Sequence, residues 1–509
     1  MDKKEIKTSS IYLMHKYWGK KPSSELKKII EKYTTIGDLV FDPFCGFGGI
    51  AIEAVLQNRN VIINDLNPAA VFIANTILSE KINLEIFEKM FKKLKNEYSE
   101  FENEWYTFKN IYIHTILRDE ANRPIKIRGK EKNTNAIIEI ELTKNEIHEF
   151  EQKEKQYRIK TWYPVTPLIV NSRISAKEGM KVCDLFSKRS LICQSHLFSL
   201  INQMNDSPEK DLFLLSFTSN LANCSKLVPP ISSRGDMAQG AWMTGFYIGK
   251  TYLDNNVFHY FENRIAKSIK GKKDYYDLRT QNDVYSSYLV INEDAKNLSV
   301  ESNSVDLVFT DFPYGDTVPY FEQSQLWNSW LNFVVDYENE IVISDSKERN
   351  KDINDFENGI SDSISEISRI LRDNKFFVFT FHSLFGREWS SIVKALKMNN
   401  FKFIECDVML QKTLPPRQLN RAHSIKGDVI AVYQKRLTPC IDDDFYSVLM
   451  KNINQACSKK NEFETNDLII ICIKSMLSSN YENADIDFKK IITKYFEIDE
   501  SNNKWRRKK

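Results

Sequence analysis

Short apolar runs bounded by turn residues fall in two blocks of this chain, and the stretch between them has a different texture. The first block opens with SSELKKIIEKY, where serine, an early glutamate and helically spaced apolar residues predict a serine-capped helix from Ser23. DLVFD then predicts a strand, GFGG a tight turn, and the residues from Ile50 a helix. A second strand, VIIN, runs to Asp65, and AAVFIANTIL predicts the next helix. Strand, loop, helix, strand, helix is the start of an open parallel α/β sheet.

The alternation then lapses for roughly two hundred residues. NLEIFEKMFKKLKNEYSEFENEWYTF has the period of a long amphipathic helix, and IYIHTILRDEANRPIKIRGKEKNTNAIIEIELT that of a small β module. Helical patterns dominate from Asp184 to about Lys270, broken by the Gly/Ser/Met-rich loop PPISSRGDMAQGAWMTG. The α/β pattern resumes with SSYLVINEDAKNL, ending near Asp294, and with SVDLVFTDFPY. A helix over Ile360 to Arg372, the strand KFFVFTFH, a helix from Trp389 to Met398, and the strands FKFIECDVML and GDVIAVYQK follow. Only a polar segment, KTLPPRQLNRAHSIK, joins the last two strands, so they are expected to pair antiparallel. The expected organisation is one α/β domain split by an insertion: residues 1–80 and 286–436 share a sheet, 81–285 form a mixed α+β insertion, and 437–509 a helical appendix.

Composition narrows the class without naming a task. At 509 residues, 42% apolar and 28% charged, the chain reads as a soluble globular protein of two or three domains. Apolar stretches such as LIIICI are too short to span a membrane, and MDKKEIKTSS has no apolar core behind its charges, so no signal peptide is expected. Eight scattered cysteines without a CxxC pair suggest a reducing, cytoplasmic setting. A net charge of +2 leaves partners open, although basic residues cluster at KIRGKEK, KSIKGKK and WRRKK.

Candidate chemistry gathers at the strand ends. The loop Asp42-Pro43-Phe44-Cys45-Gly46-Phe47-Gly48-Gly49 lets backbone approach a ligand, yet it lacks both the phosphate-loop and the dinucleotide spacings. Asp65, about twenty residues on, suits a ribose diol, or alternatively a helix cap. Asp294 suits an adenine amino group, or an ordinary turn. Asp311-Phe312-Pro313-Tyr314 is one residue from Asp-Pro-Pro-Tyr. An aromatic exocyclic amine is a poor nucleophile until its N–H groups are accepted. Asp311 offers one acceptor and the carbonyl of Phe312 a second, so any side chain at 312 keeps that function. Tyr314 is expected to stack on a base taken out of its duplex.

In that order DPFCGFGG, NDLNP, DAKN and DFPY resemble the S-adenosylmethionine-dependent DNA amino-methyltransferases, as does the preceding HKYWGKKP. VCDLFSKRSLICQSH, DFPYGDTVPYFEQSQLWNSWL, ISDSKERNKD, FTFHSLFGREW and IKGDVIAVYQK resemble the adenine-specific branch in which some members carry a zinc ribbon. The likeness runs over most of residues 11 to 435, with a gap around 85 to 160. It implies a Rossmann-like methyltransferase sheet with an antiparallel closing strand, and S-adenosylmethionine as cofactor. Lys16, Tyr17, Asp42, Phe44, Gly46, Gly48, Asp65, Leu66, Asp294 and Ala295 are then expected around the cofactor, and Asp311, Phe312, Pro313 and Tyr314 around the reacting amine. Target reading falls to residues 81–285, with Arg234, Arg417 and Arg421 as nucleic-acid contacts. The expected partners are double-stranded DNA with its target base flipped out and a restriction or defence protein.

The insertion lacks ribbon cysteines and the seven histidines are scattered, so no metal is assigned. A cytosine-C5 enzyme needs a Pro-Cys nucleophile that is absent, and Cys45 sits in the cofactor loop. An RNA guanine-N2 enzyme needs the same acceptors but usually an N-terminal RNA-binding domain, for which the early glycine loop leaves no room. A catalytically inactive DNA-binding homologue is the other alternative. The leading Asp favours adenine N6 over cytosine N4, and His382 is a minor site candidate.

Overall fold

A computed structural model describes residues 9–280, 285–383, 386–409, 427–438, 443–479, 481, 486–499 and 504–508. Helix α1 (Ser23–Tyr33) leads into β1 (Leu39–Asp42), α2 (Gly49–Leu56), β2 (Asn60–Asn64) and α3 (Pro68–Leu78). After these come α4 (Leu84–Tyr106), the strands β3 (Thr107–Phe108), β4 (Ile111–Asp119), β5 (Pro124–Glu131) and β6 (Ile137–Glu141), and α5 (Lys144–Gln156). Then α6 (Lys188–Asn202), α7 (Pro208–Leu221), β7 (Thr251–Asn255) and α8 (Val257–Thr280) lead back to β8 (Tyr288–Ile291) and β9 (Val305–Asp311). The second block continues with α9 (Tyr320–Trp330), α10 (Ile353–Ile370), β10 (Leu371–Phe381), α11 (Gly386–Met398), β11 (Phe401–Met409) and β12 (Asp428–Lys435). The tail holds α12 (Phe445–Cys457), α13 (Thr465–Ser478), α14 (Phe488–Tyr495), β13 (Phe496–Asp499) and β14 (Lys504–Arg507).

Seven strands form one sheet in the order β11-β12-β10-β9-β1-β2-β8, drawn from both blocks of the sequence. Five neighbours from β10 to β8 pair parallel, whereas β12 runs antiparallel to both β10 and β11. This is a Rossmann-like sheet with an antiparallel strand. The antiparallel strand is wedged between β10 and β11 rather than lying at the edge. The central strand β9 is buried on both faces from Val305 to Thr310, with apolar residues on either side of the sheet.

One core lies on the face bearing α2, α3 and the inserted helices; the other lies under α10, α11 and the tail helices. Residues 437–509 therefore complete the second core through Phe445, Leu449, Ile473 and Trp505, and they add a two-stranded sheet, β13–β14, to the expected helices. The insertion carries a five-stranded sheet in which β7, which falls in a stretch read as helical, pairs with β4 across more than a hundred residues. Its register is clamped by buried charges: Arg118 reaches Asp254 at 2.7 Å and Glu154 at 2.6 Å, and Arg189 reaches Glu154 at 3.1 Å.

Three local expectations are corrected. Ser23 is the first helical residue of α1, whose cap is Pro22 without a side-chain bond. Helix α10 begins at Ile353 because Asp352 caps it through the amides of Asn354 and Asp355, and Arg372 already lies in β10. Helix α9 was not foreseen: its residues are buried nearly all round, so the sequence shows no amphipathic stripe.

Candidate active site

A cleft with about 990 Å³ of space, part of it open to solvent, lies where the parallel strands end, the usual ligand position in a doubly wound sheet. Asp42 closes β1, Asp65 follows β2, Asp294 follows β8 and Asp311 closes β9, and all four line it. Tyr17, Trp18, Lys20 and Lys21, from the segment before α1, form one wall, and Tyr320, Phe321 and Glu340 another.

The glycine loop is shaped by contact as well as by dihedral freedom. Gly46 has φ +48°, and a Cβ there would stand 2.9 Å from the Tyr17 ring. Gly48 has φ +80°, but a Cβ there would strike Ala74 of α3, and Gly48 does not line the cleft. Asp65 organises this loop: its carboxylate accepts the Gly46 amide at 2.8 Å and the Asn67 amide at 2.9 Å. The cap of α3 is Asn67, not Asp65. Asn67 also accepts from Asn328 at 3.0 Å and donates to Ser324 at 2.9 Å, tying α9 to the cofactor half.

Burial dominates the electrostatics at this end. It pushes the Asp42 carboxyl up to about 8, against hydrogen bonds from Thr310 (2.7 Å) and the Phe44 amide (3.2 Å). Burial likewise lifts Asp65 to about 6 and Glu340 to about 8, the latter despite its pairing with Arg349. Arg349, in the ISDSKERNKD stretch, also holds Glu322 of α9 at 2.9 Å, so this motif braces the wall that carries Glu340.

At the far end of the cleft Asp311 is gripped from three sides. Lys21 Nζ lies 3.0 Å from its Oδ2, while Tyr314 Oη and Thr380 Oγ1 donate to Oδ1 at 2.8 and 2.5 Å. Lys21 also holds Asp428 Oδ2 at 2.8 Å and contacts the Tyr314 hydroxyl. His382 Nδ1 sits 2.9 Å from the Gly427 carbonyl and 3.5 Å from Asp428 Oδ1. The Lys21 and Asp428 side chains are 4% and 3% exposed, that of Asp311 21%, so Asp311 is the most open of the three; Lys21 lines the cleft beside it and Asp428 lies behind. Burial raises the Asp311 carboxyl, with Lys21 opposing and Asp428 reinforcing.

Phe312 does more than lend a carbonyl. Its ring is fully buried among Phe44, Phe377 and Phe379 at centroid distances of 5.8, 5.8 and 5.3 Å, and its amide donates to the Thr380 carbonyl at 3.1 Å. Tyr314 is 7% exposed, with its hydroxyl committed to Asp311 and its ring against Phe381 and His382. That position differs from the base-stacking face expected of it. Pro313, Phe44, Leu66 and Ala295 line the cleft, whereas Lys16 lies over the Trp242 ring at 4.0 Å, off the cleft lining. Arg234 is exposed on the inserted loop, and Arg417 and Arg421 lie outside the described residues. Sequence reasoning passed over Lys21, Tyr320, Thr380, Asp428 and Glu340. Lys21 sat within a quoted motif, but nothing in linear spacing links it to Asp311 or Asp428.

A cationic adenosine cofactor fits these residues. The carboxylates Asp42 and Asp65 have no Lys or Arg pairing with them among the described residues, and the cleft adds apolar walls from Phe44, Leu66, Ala295 and Ile341. Among the described residues no cluster suits a metal ion, and no helix is long and apolar enough to cross a membrane.

Residues 2–76 match a family model described as DNA methylase, which bears out the likeness to amino-methyltransferases over that segment. Two curated relatives, both tRNA (guanine(37)-N(1))-methyltransferases of Candida albicans, are 32% identical over 108 residues (strain WO-1) and 36% over 85 residues (strain SC5314). These alignments cover 20% and 17% of this chain and only 23% and 18% of the relatives. Among solved structures, an rRNA methyltransferase from Streptomyces viridochromogenes aligns over 84% of this chain and 93% of its own, at 8% identity and a TM-score of 0.29.

Proposed function

We propose that this chain is an S-adenosylmethionine-dependent methyltransferase acting on an exocyclic base amine of DNA, adenine N6 in preference to cytosine N4. The observation that carries the reading is the sharing of one cleft by the glycine loop and Asp311, the former at the end of β1 and the latter at the end of the adjacent β9. Bound S-adenosylmethionine would supply a methyl group on a positively charged sulfur.

Asp65 and the Gly46 loop, Asp294, Leu66 and Ala295 would hold the cofactor, with Asp42 adding negative charge beneath it. Asp311 lines the cleft and would accept an N–H of the target amine, shifting the nitrogen toward a tetrahedral, nucleophilic form. The backbone carbonyl of Phe312 supplies the second acceptor, and Phe312's buried ring fixes where that carbonyl points. With Tyr314 engaged by Asp311, stacking on a flipped base falls to cleft-lining rings such as Tyr320 and Trp18. Target reading belongs to the insertion and its Arg234 loop. A restriction-modification or defence setting, with a partner protein, follows from the family likeness.

The partial match to tRNA (guanine(37)-N(1))-methyltransferases supports a second reading, an RNA base as acceptor. Radiolabelled S-adenosylmethionine offered with double-stranded DNA and, separately, with tRNA, followed by nucleoside analysis, tests both. N6-methyladenine in DNA is the expected product. Label in tRNA alone would move the substrate to RNA, and label in neither would remove the proposal.

A further inference from the structure

We infer that Lys21 and Asp428 form, with Asp311, a buried charge triad that sets the proton affinity of Asp311, making Asp428 a positioning residue for removal of the target amine's proton. The inference rests on the amine-methyltransferase reading for its purpose, though not for its electrostatics.

One ammonium sits between two carboxylates, 3.0 Å from Asp311 Oδ2 and 2.8 Å from Asp428 Oδ2. Two opposing carboxylates around one cation leave the group with one net negative charge. Lys21 alone would make Asp311 a weak base, because an adjacent cation favours the ionised carboxylate. Asp428 offsets that cation from behind and keeps Asp311 basic. Lys21 stays charged: burial opposes its proton, but the two carboxylates outweigh burial and raise its proton affinity. The groups facing Asp311 are Lys21 from the segment before α1, Asp42 from β1, Tyr314 from its own loop, Tyr320 from α9 and Asp428 from β12, with His382 behind Asp428 after β10. Among the described residues Lys21 is the cation that faces Asp311, so the triad is a direct lever on it.

When the target nitrogen has gained its methyl it carries one proton too many. That proton passes to Asp311 Oδ2, and the N–H electron pair stays on nitrogen. The triad then holds a neutral acid, an ammonium and one carboxylate, and its net charge falls to zero. A positive charge forming on the amine is therefore met by a site one negative charge in excess, which is emptied as the proton arrives.

The test needs no cofactor. Carboxyl carbon NMR of aspartate-labelled full-length protein, with the Asp311 signal assigned from an Asp311→Asn spectrum, follows Asp311 through a pH titration. Asp428→Asn is expected to lower its midpoint and Lys21→Met to raise it, so a failure of one variant to fold leaves the other decisive. Lys21→Arg restores the wild-type midpoint. In turnover with labelled S-adenosylmethionine, Asp428→Asn moves the acid limb of kcat to lower pH while kcat falls about 10-fold or more. Midpoints unmoved in the folded variants overturn the triad, even where wild-type methylation is found. Midpoints that move as stated in a protein that methylates neither DNA nor RNA uphold the triad and remove only the functional reading.

Discussion

The two ends of the cleft solve the same electrostatic problem differently. At the glycine-loop end Asp42 is buried and Asp65 half-buried, each with hydroxyl or amide donors, and no described cation pairs with either. Their carboxyls consequently rise to about 8 and about 6. At the other end Asp311 has its cation built in, Lys21, and a second carboxylate behind it. An end that lacks its counter-charge is prepared for a cationic ligand. An end that carries its own is prepared to hold a neutral group and exchange protons with it.

The largest effect should come from erasing the catalytic end. Asp311→Asn keeps an acceptor oxygen but loses the charge that takes the amine proton. Methyl transfer should fall by roughly 10²–10⁴-fold, the usual span for a positioned proton acceptor. Cofactor affinity, measured by calorimetry, should change little because Asp311 sits at the opposite end. A variant that binds cofactor poorly would make the two ends one unit.

Next in size is Phe312→Pro, which would restore the common form of the motif. The sequence alone presents position 312 as a source of a carbonyl, so proline looks harmless there. The structure adds a ring enclosed by Phe44, Phe377 and Phe379 and an amide bonded to Thr380. Proline removes that donor and much of the buried ring, a loss on the order of 3–5 kcal/mol. Chemical denaturation should show it, while any folded fraction keeps its Asp311 geometry. A variant as stable as the parent would return Phe312 to a passive role.

That contrast shows what was legible. Strands ending in acids were readable because period and turn residues are local, and so were the cofactor loop and the DFPY motif. The sheet class followed from the alternation of those runs. Lys21, Thr380 and Asp428 were not readable: Thr380 and Asp428 meet Asp311 only through strand order, which places β12 beside β10 and β10 beside β9, and Lys21 only through the fold of the segment before α1. Lys16 and Tyr17 were chosen from HKYWGKKP while Lys21, five residues on, was the one turned toward Asp311. Helix α9 and strand β7 escaped for another reason: burial on all sides leaves no periodic signal, and β7 owes its state to a distant partner, β4.

The smallest effect, and the one that isolates the glycine-loop end, is a proton count. A carboxyl raised by burial holds its proton in the folded protein after the unfolded chain has shed it. Between the ordinary 3.8 and about 8, Asp42 therefore costs stability as pH rises, and Asp42→Asn should flatten the fall in Tm from pH 5 to pH 8. A cation entering beside Asp42 and Asp65 lowers both carboxyls and expels their protons. Calorimetry near pH 7 in buffers of different ionisation enthalpy should then record proton release on binding S-adenosylmethionine, with affinity rising from pH 6 to pH 8 and levelling above it. S-adenosylhomocysteine, whose sulfur is neutral, should release fewer protons and show a flatter pH profile. Equal release by the two ligands would mean that Asp42 and Asp65 do not sense the sulfonium, and the division between an end awaiting its cation and an end supplied with one would fail.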